Sequence, residues 1–131
     1  MRSQIRANPP SSSDELDGLF GAAWPDHQER DFRPILDRAL FYVCAYQAEQ
    51  LIGFAKVVGD GGVHGFLLDP TVAPGWRRRG IGKKLVKACS GEARRKGIEW
   101  LHVDYEPPLK AFYNSCGFST TEAGLLNLKS E

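Results

Sequence analysis

The amino-acid sequence predicts a single domain of mixed α/β (α+β) class. Three observations lead there. Apolar residues recur at helical spacing early in the chain and again beyond residue 80, strand-forming runs broken by turn signals fill the middle, and no linker divides the two. A length of 131 residues suits one core and is too short for two comfortable ones.

Taken in order, Gln4 to Ala7 reads as a short strand closed by Pro9 and Pro10. Ser11 to Ser13 offer N-caps to a helix carrying Leu16, Leu19, Phe20 and Ala23, which should stop near Trp24 and Pro25. A second helical stretch places Phe32, Ile35, Leu36 and Ala39 on one side, with Pro34 near its start or bending it. Phe41 to Gln47, a turn at Ala48 to Gln50, and Leu51 to Val58 read as a hairpin. After the turn Gly59 to Gly62, Val63 to Val72 reads as a further strand. Pro70 interrupts it, which predicts a distortion near residues 69 to 71. Ile81, Leu85, Ala88, Cys89 and Ala93 define the most regular helix, ended by Lys96 and Gly97. Ile98 to Tyr105 reads as a strand, and Pro107 and Pro108 open a helix that runs through Cys116 and is stopped by Gly117. Phe118 to Lys129 leaves room for two short closing strands around Gly124.

Seventeen basic residues against sixteen acidic ones leave no overall field for nucleic acid or an anionic membrane. Cys44, Cys89 and Cys116 form neither a disulfide framework nor a zinc pattern, and no His, Cys or carboxylate spacing suggests a metal. With no apolar run of signal-peptide or membrane-spanning length, the expectation is a soluble chain in a reducing, cytoplasmic compartment.

The segment Val72 to Lys84 carries the most chemical information. It lies between a predicted strand and a predicted helix start, where unpaired N–H groups and the helix dipole favour an anion. Gly80 and Gly82 let the main chain approach a phosphate, and Arg77, Arg78, Arg79, Lys83 and Lys84 add pairing charges. A Walker loop would need Gly-Lys-Ser/Thr where Gly80 and Ile81 stand. A dinucleotide fingerprint would need its third glycine where Leu85 stands.

The loop resembles the pyrophosphate-binding motif of the GNAT superfamily of acyl-CoA N-acyltransferases, Gln/Arg-x-x-Gly-x-Gly/Ala preceded by Val-x-Pro. Arg77, Gly80 and Gly82 fill the motif, and Val72 and Pro74 flank it. Ala111 to Phe118 resembles the same superfamily's Phe-Tyr-x-x-x-Gly-Phe segment. Ahead of the tyrosine, Glu106 and Leu109 stand where the family often carries asparagine and alanine.

The resemblance implies a central mixed, mostly antiparallel twisted sheet of about six or seven strands flanked by about four helices. It implies acetyl-CoA as co-substrate, held by Thr71, Val72, Arg77, Arg78, Arg79, Gly80, Ile81, Gly82, Lys83 and Tyr113. The reaction implied is transfer of the acetyl group to a primary amine of a small molecule or peptide, by direct attack in a ternary complex. An amine resembling lysine is almost wholly protonated at neutral pH, so a base or water relay must take its proton. Asp69 and Glu106 are equal candidates. The Val72 N–H, freed by the distortion, would polarise the thioester oxygen. Tyr113 would protonate the departing thiolate. That transfer is uphill by about 1.5 pKa units, roughly 2 kcal/mol, before burial of the thiolate raises its proton affinity.

Acceptor contacts are expected from Trp24, Asp26 and His27, with Asp104 at a strand end. Two other classes stay open: a CoA-binding regulatory protein without transferase activity, and a nucleic-acid module using Arg77 to Lys84, which the near-neutral charge disfavours. The acceptor is not named by the sequence, and the chain acts as a monomer or a homodimer.

Overall fold

The computed structural model describes residues 3–129. Five strands form one sheet in the order β1 (Gln4–Ala7), β2 (Phe41–Gln47), β3 (Gln50–Gly59), β4 (His64–Val72) and β5 (Trp100–His102). The first four pair antiparallel, and β5 runs parallel to β4. The helices are α1 (Ser13–Ala23), α2 (Arg33–Arg38), α3 (Ile81–Arg95) and α4 (Lys110–Ser115).

The helix starts follow local chemistry. Ser12 caps α1 by accepting from the Glu15 N–H at 3.1 Å, while the Ser12 N–H donates to the Glu15 carboxylate at 3.2 Å, a reciprocal capping box. Pro34 sits in the first turn of α2, where the N–H it lacks would have had no partner. Both α3 and α4 end on a left-handed glycine, Gly97 at φ 85° and Gly117 at φ 100°. The Ile98 N–H returns to Ala93 and the Phe118 N–H to Tyr113, so each end closes as a Schellman motif.

Alternating residues build two cores, one on each face of the sheet. Phe41, Val43, Ala45, Ala55, Val57 and Leu67 face α3 and its Ile81, Leu85, Val86, Cys89 and Ala93. Cys44, Tyr46, Leu51 and Phe54 face Leu16, Leu19 and Phe20 of α1 and Phe32. The closest approach of α3 to the sheet is at Gly53, where an added Cβ would stand 2.9 Å from Leu85 Cδ1 and 3.2 Å from Ala45 Cβ.

Two expectations are corrected. The strand foreseen over Ile98 to Tyr105 pairs only through Trp100–His102, because β4 bends away beyond that point. No strand forms among the described residues after Phe118, so the sheet has five strands rather than six or seven. The paired stretch of β5 is too short to template a hairpin, and Leu125, Leu126 and Leu128 stay more than four-fifths exposed.

Candidate active site

The distortion foreseen at Pro70 is a β-bulge. Phe54 pairs with Thr71 and Lys56 with Leu68, so the single residue Ala55 opposes both Asp69 and Pro70. Asp69 takes the left-handed conformation, φ 54°, that the bulge demands. The Thr71 hydroxyl locks it: it donates to the Asp69 carbonyl at 2.9 Å and accepts from the Trp24 indole N–H at 3.1 Å. Thr71 is 2% exposed, and its hydroxyl thereby ties the end of α1 to the kink in β4. The Asp69 carboxylate meets Lys56 Nζ at 3.0 Å.

The strands β4 and β5 part ahead of the bulge. The β4–β5 pairing ends at Phe66 opposite His102, leaving a wedge-shaped gap between the rest of β4 and residues 103 to 105. Val72 stands opposite Gly53, while the next N–H, that of Ala73, donates to Ile52 at 2.8 Å. The alternation of an antiparallel ladder therefore turns the Val72 N–H and carbonyl away from β3, toward the gap.

The glycine loop continues from there. A 3₁₀ turn, Pro74–Trp76, leads into Arg77, Arg78, Arg79 and Gly80. Gly80 adopts φ 80° and no side chain caps α3. Lys84 is the first residue whose N–H reaches back, to Gly80 at 3.1 Å, so the N–H groups of Ile81, Gly82 and Lys83 lie ahead of the helical ladder. A helix start with such groups left over suits a negative charge. Gly82 packs against Phe112 of α4 and the Val72 side chain, with room for one methyl group.

The arginines divide their work. Arg77 turns inward, donating from Nε to the Val72 carbonyl at 3.3 Å and from a terminal nitrogen to the Ala23 carbonyl at 3.2 Å, and so clamps the loop to α1. Arg79 lies over the Trp76 ring at 4.8 Å. Arg78, held at φ 64°, and Lys83 are solvent-facing.

Tyr113 is 5% exposed in an aromatic nest, stacked on Tyr105 at 4.8 Å and edge-on to Phe112 and Phe118. Burial, and then the neighbouring Cys116 and Asp104, push its phenol above the ordinary tyrosine range. It therefore stays protonated at neutral pH. Glu106 is exposed at the start of a 3₁₀ turn, Pro107–Leu109, and Asp104 is exposed beside the gap.

The residues expected to meet an acceptor are not one cluster. Trp24 is 47% exposed and joins the gap through Thr71. Asp26 lies on the outer surface. His27 is built into the fold: its ring packs against Phe20 and Phe32, and Nε2 meets Asp17 at 2.9 Å. Against the opposing effect of burial, the Arg30 N–H and His27 hold the Asp17 carboxyl below its usual range. A depression of about 310 Å³ between α1 and the β2–β3 turn adjoins the loop only through Ala73.

Sequence reasoning missed the Thr71 bridge, the Lys56–Asp69 pair, the inward turn of Arg77, and two histidines, His64 and His102, that meet at 2.8 Å across β4 and β5. Each depends on register or on a bulge that brings distant positions together. A polar residue beside Pro70 was the one available signal.

The acetyltransferase (GNAT) family model matches residues 11–118, and the chain belongs to that family. Among its relatives is an uncharacterized N-acetyltransferase of Prochlorococcus marinus, ycf52-like, 29% identical over 84% of this chain. The chain spans 64% of that relative's length. Among solved structures, a GNAT family acetyltransferase from Streptococcus pneumoniae shares the fold with a TM-score of 0.80 at 24% identity, over 98% of this chain and all of that one. Aminoglycoside N-acetyltransferase AAC(6')-Iy in complex with CoA does so at 0.78 and 23%, over 98% and 95%.

Proposed function

We propose that the protein is an N-acetyltransferase that takes the acetyl group of acetyl-CoA and passes it to a primary amine of a small molecule or peptide by direct attack in a ternary complex. The observation that carries this reading is the Val72 main chain turned into the gap immediately before an uncapped α3. The CoA complex of a like-folded aminoglycoside N-acetyltransferase supports the same donor.

Acetyl-CoA supplies the activated thioester. The N–H groups of Ile81, Gly82 and Lys83 suit the pyrophosphate, since a helix start contributes roughly 0.3 to 1 kcal/mol toward a nearby negative charge. Arg78, Arg79 and Lys83 add charge-assisted partners. Arg77 belongs to the same set by holding the loop, through the Val72 and Ala23 carbonyls, in the shape that presents those N–H groups. The Val72 N–H donates to the thioester oxygen, an arrangement of the oxyanion-hole type. Tyr113, kept protonated by its burial, gives its proton to the departing sulfur. Asp69, in the bulge, and Glu106, ahead of the turn Pro107–Leu109, are the carboxylates offered to take the amine's proton. Trp24, Asp26 and Asp104 offer an aromatic face and negative charge to a cationic acceptor.

The test is a coupled measurement on the whole chain. CoA should raise the melting temperature, and acetyl-CoA with a panel of polyamines, amino acids, aminoglycosides and peptides should release free thiol. A melting temperature indifferent to CoA would remove the donor assignment, and with it the function.

A further inference from the structure

Two side-chain ties fasten the end of α1 to the strand and loop beside the gap. The Trp24 indole N–H donates to the Thr71 hydroxyl at 3.1 Å, and that hydroxyl donates to the Asp69 carbonyl inside the bulge at 2.9 Å. One residue before Trp24, the Ala23 carbonyl accepts from an Arg77 terminal nitrogen at 3.2 Å, while Arg77 Nε reaches the Val72 carbonyl at 3.3 Å. Consecutive residues at the end of α1 are thus joined, directly or through Arg77, to Thr71 and Val72, which are consecutive in β4.

Arg77 supplies what the sequence of α1 lacks. The last turn of α1 carries no basic residue, so the negative end of its dipole is met by a guanidinium from the glycine loop. A guanidinium can span two carbonyls because its N–H donors diverge from one rigid plane, whereas an ammonium offers a single centre. The ties also open without stranding a buried polar group. Thr71 is 2% exposed, and its hydroxyl keeps the Asp69 carbonyl when Trp24 leaves. Trp24 and Arg77 are exposed, and water can replace their partners.

We propose that Arg77 and Thr71 are positioning residues that couple the donor and acceptor sites, so that acetyl-CoA and the amine each tighten the binding of the other. The proposal rests on the acetyltransferase reading and adds a regulation to it. That reading puts the thioester against the Val72 main chain, whose carbonyl Arg77 holds, and the cationic amine against Trp24, whose N–H Thr71 holds. Each ligand meets one end of the same set of bonds. A donor seated on Val72 fixes the carbonyl that Arg77 reaches and so fastens Ala23. An amine seated on Trp24 fixes the indole that Thr71 meets and so fastens the bulge ahead of Val72.

The shared element has two arrangements, the end of α1 fastened to β4 or loosened from it. Both ligands favour the fastened one, and ligands that favour the same state of one element bind cooperatively. Linkage makes the claim reciprocal: the factor by which the donor raises amine affinity equals the factor by which the amine raises donor affinity. Arg78 and Lys83 serve as the contrast. They bring charge to the same loop from solvent-facing positions, so an electrostatic contribution to donor binding is separable from the coupling.

The experiment is calorimetric titration of the whole chain with the best amine of the panel and with the ketone analogue of acetyl-CoA, in which a methylene replaces the sulfur and no acetyl group can leave. In the parent, saturating analogue should tighten the amine about tenfold, and saturating amine should tighten the analogue by the same factor. Arg77→Lys keeps the charge but cannot span two carbonyls, and Thr71→Val keeps the shape but lacks the hydroxyl. In each the factor should fall below about twofold, whatever happens to either affinity alone. Thr71→Ser should restore it, and Arg78→Gln should weaken the analogue while keeping the factor at about tenfold. A parent factor near one, a factor that survives in both Arg77→Lys and Thr71→Val, or an equal fall in Arg78→Gln overturns the coupling. CoA binding and thiol release are read separately, so with both present a lost coupling leaves the acetyltransferase reading standing, whereas their absence defeats both.

Discussion

Tyr113 shows how one residue's surroundings fix its chemistry. Packed on Tyr105 and screened from water, it holds its proton, and replacement by phenylalanine keeps the ring while deleting the hydroxyl to which the proposed function gives the role of acid. Tyr113→Phe should therefore lower kcat by about a hundredfold while CoA affinity stays within about twofold, measured by thiol release and thermal shift. The thiols behave in the opposite spirit. Burial pushes Cys44 up to about 11 and Cys89 up to about 12, so neither is a nucleophile at neutral pH. Both folded values lie above the unfolded value of 9.0, so the unfolded chain loses these protons first, and stability is complete below pH 9 and falls between there and the folded values. At pH 10 each thiol should account for about 1 kcal/mol of lost stability. Denaturant unfolding of the parent and of Cys44→Ala at pH 8 and pH 10 checks this: the variant, less stable throughout, should show the shallower decline.

At the scale of elements, close contacts and backbone geometry decide what can be changed. Gly53 lies where α3 touches the sheet, and Gly53→Ala should destabilise the fold by about 1 to 3 kcal/mol through overpacking against Leu85, seen as a lower urea midpoint. Gly80 has open space around it, and its constraint is its positive φ alone. Gly80→Ala should cost about 1 to 2 kcal/mol in the conformation that opens α3, read as roughly tenfold weaker CoA binding by calorimetry. These two glycines illustrate what a sequence can and cannot convey. Gly80 was legible because a turn before a helix has few solutions, whereas Gly53 sits in an apolar strand and only the packed helix shows why it is small. The capping serines, the Schellman glycines and the break at Pro70 are local events and were readable in the same way. The extent of β5 and the meeting of His64 with His102 depend on the pairing of β4 with a distant strand, and the burial of His27 on its meeting Phe20, Phe32 and Asp17, which no window of sequence contains.

For the whole molecule, the sheet is unequally secured. β2 and β3 are sandwiched between two cores, while β5 joins β4 through three paired residues and carries α4 beyond it. Native-state hydrogen exchange should find the amides of Leu101 and Phe112 opening at lower free energy than those of Val43 and Ala55, with CoA slowing the former group preferentially. Equal protection throughout would mean that the gap is rigid without its ligand. The end of α1 and the bulge share the Thr71 bridge, so a ligand that shifts the end of α1 acts directly on the bulge.

The placement of the tryptophans gives the protein a built-in optical readout. There are three, at three separate places: Trp24 bonded to Thr71, Trp76 under Arg79, and Trp100 beside His64. Indole emission responds to nearby charge and to water, so if the proposed function holds, chains retaining one indole at a time would report donor docking at Trp76 and acceptor docking at Trp24 while Trp100 stays unmoved, each read as a separate colour shift in an unlabelled protein.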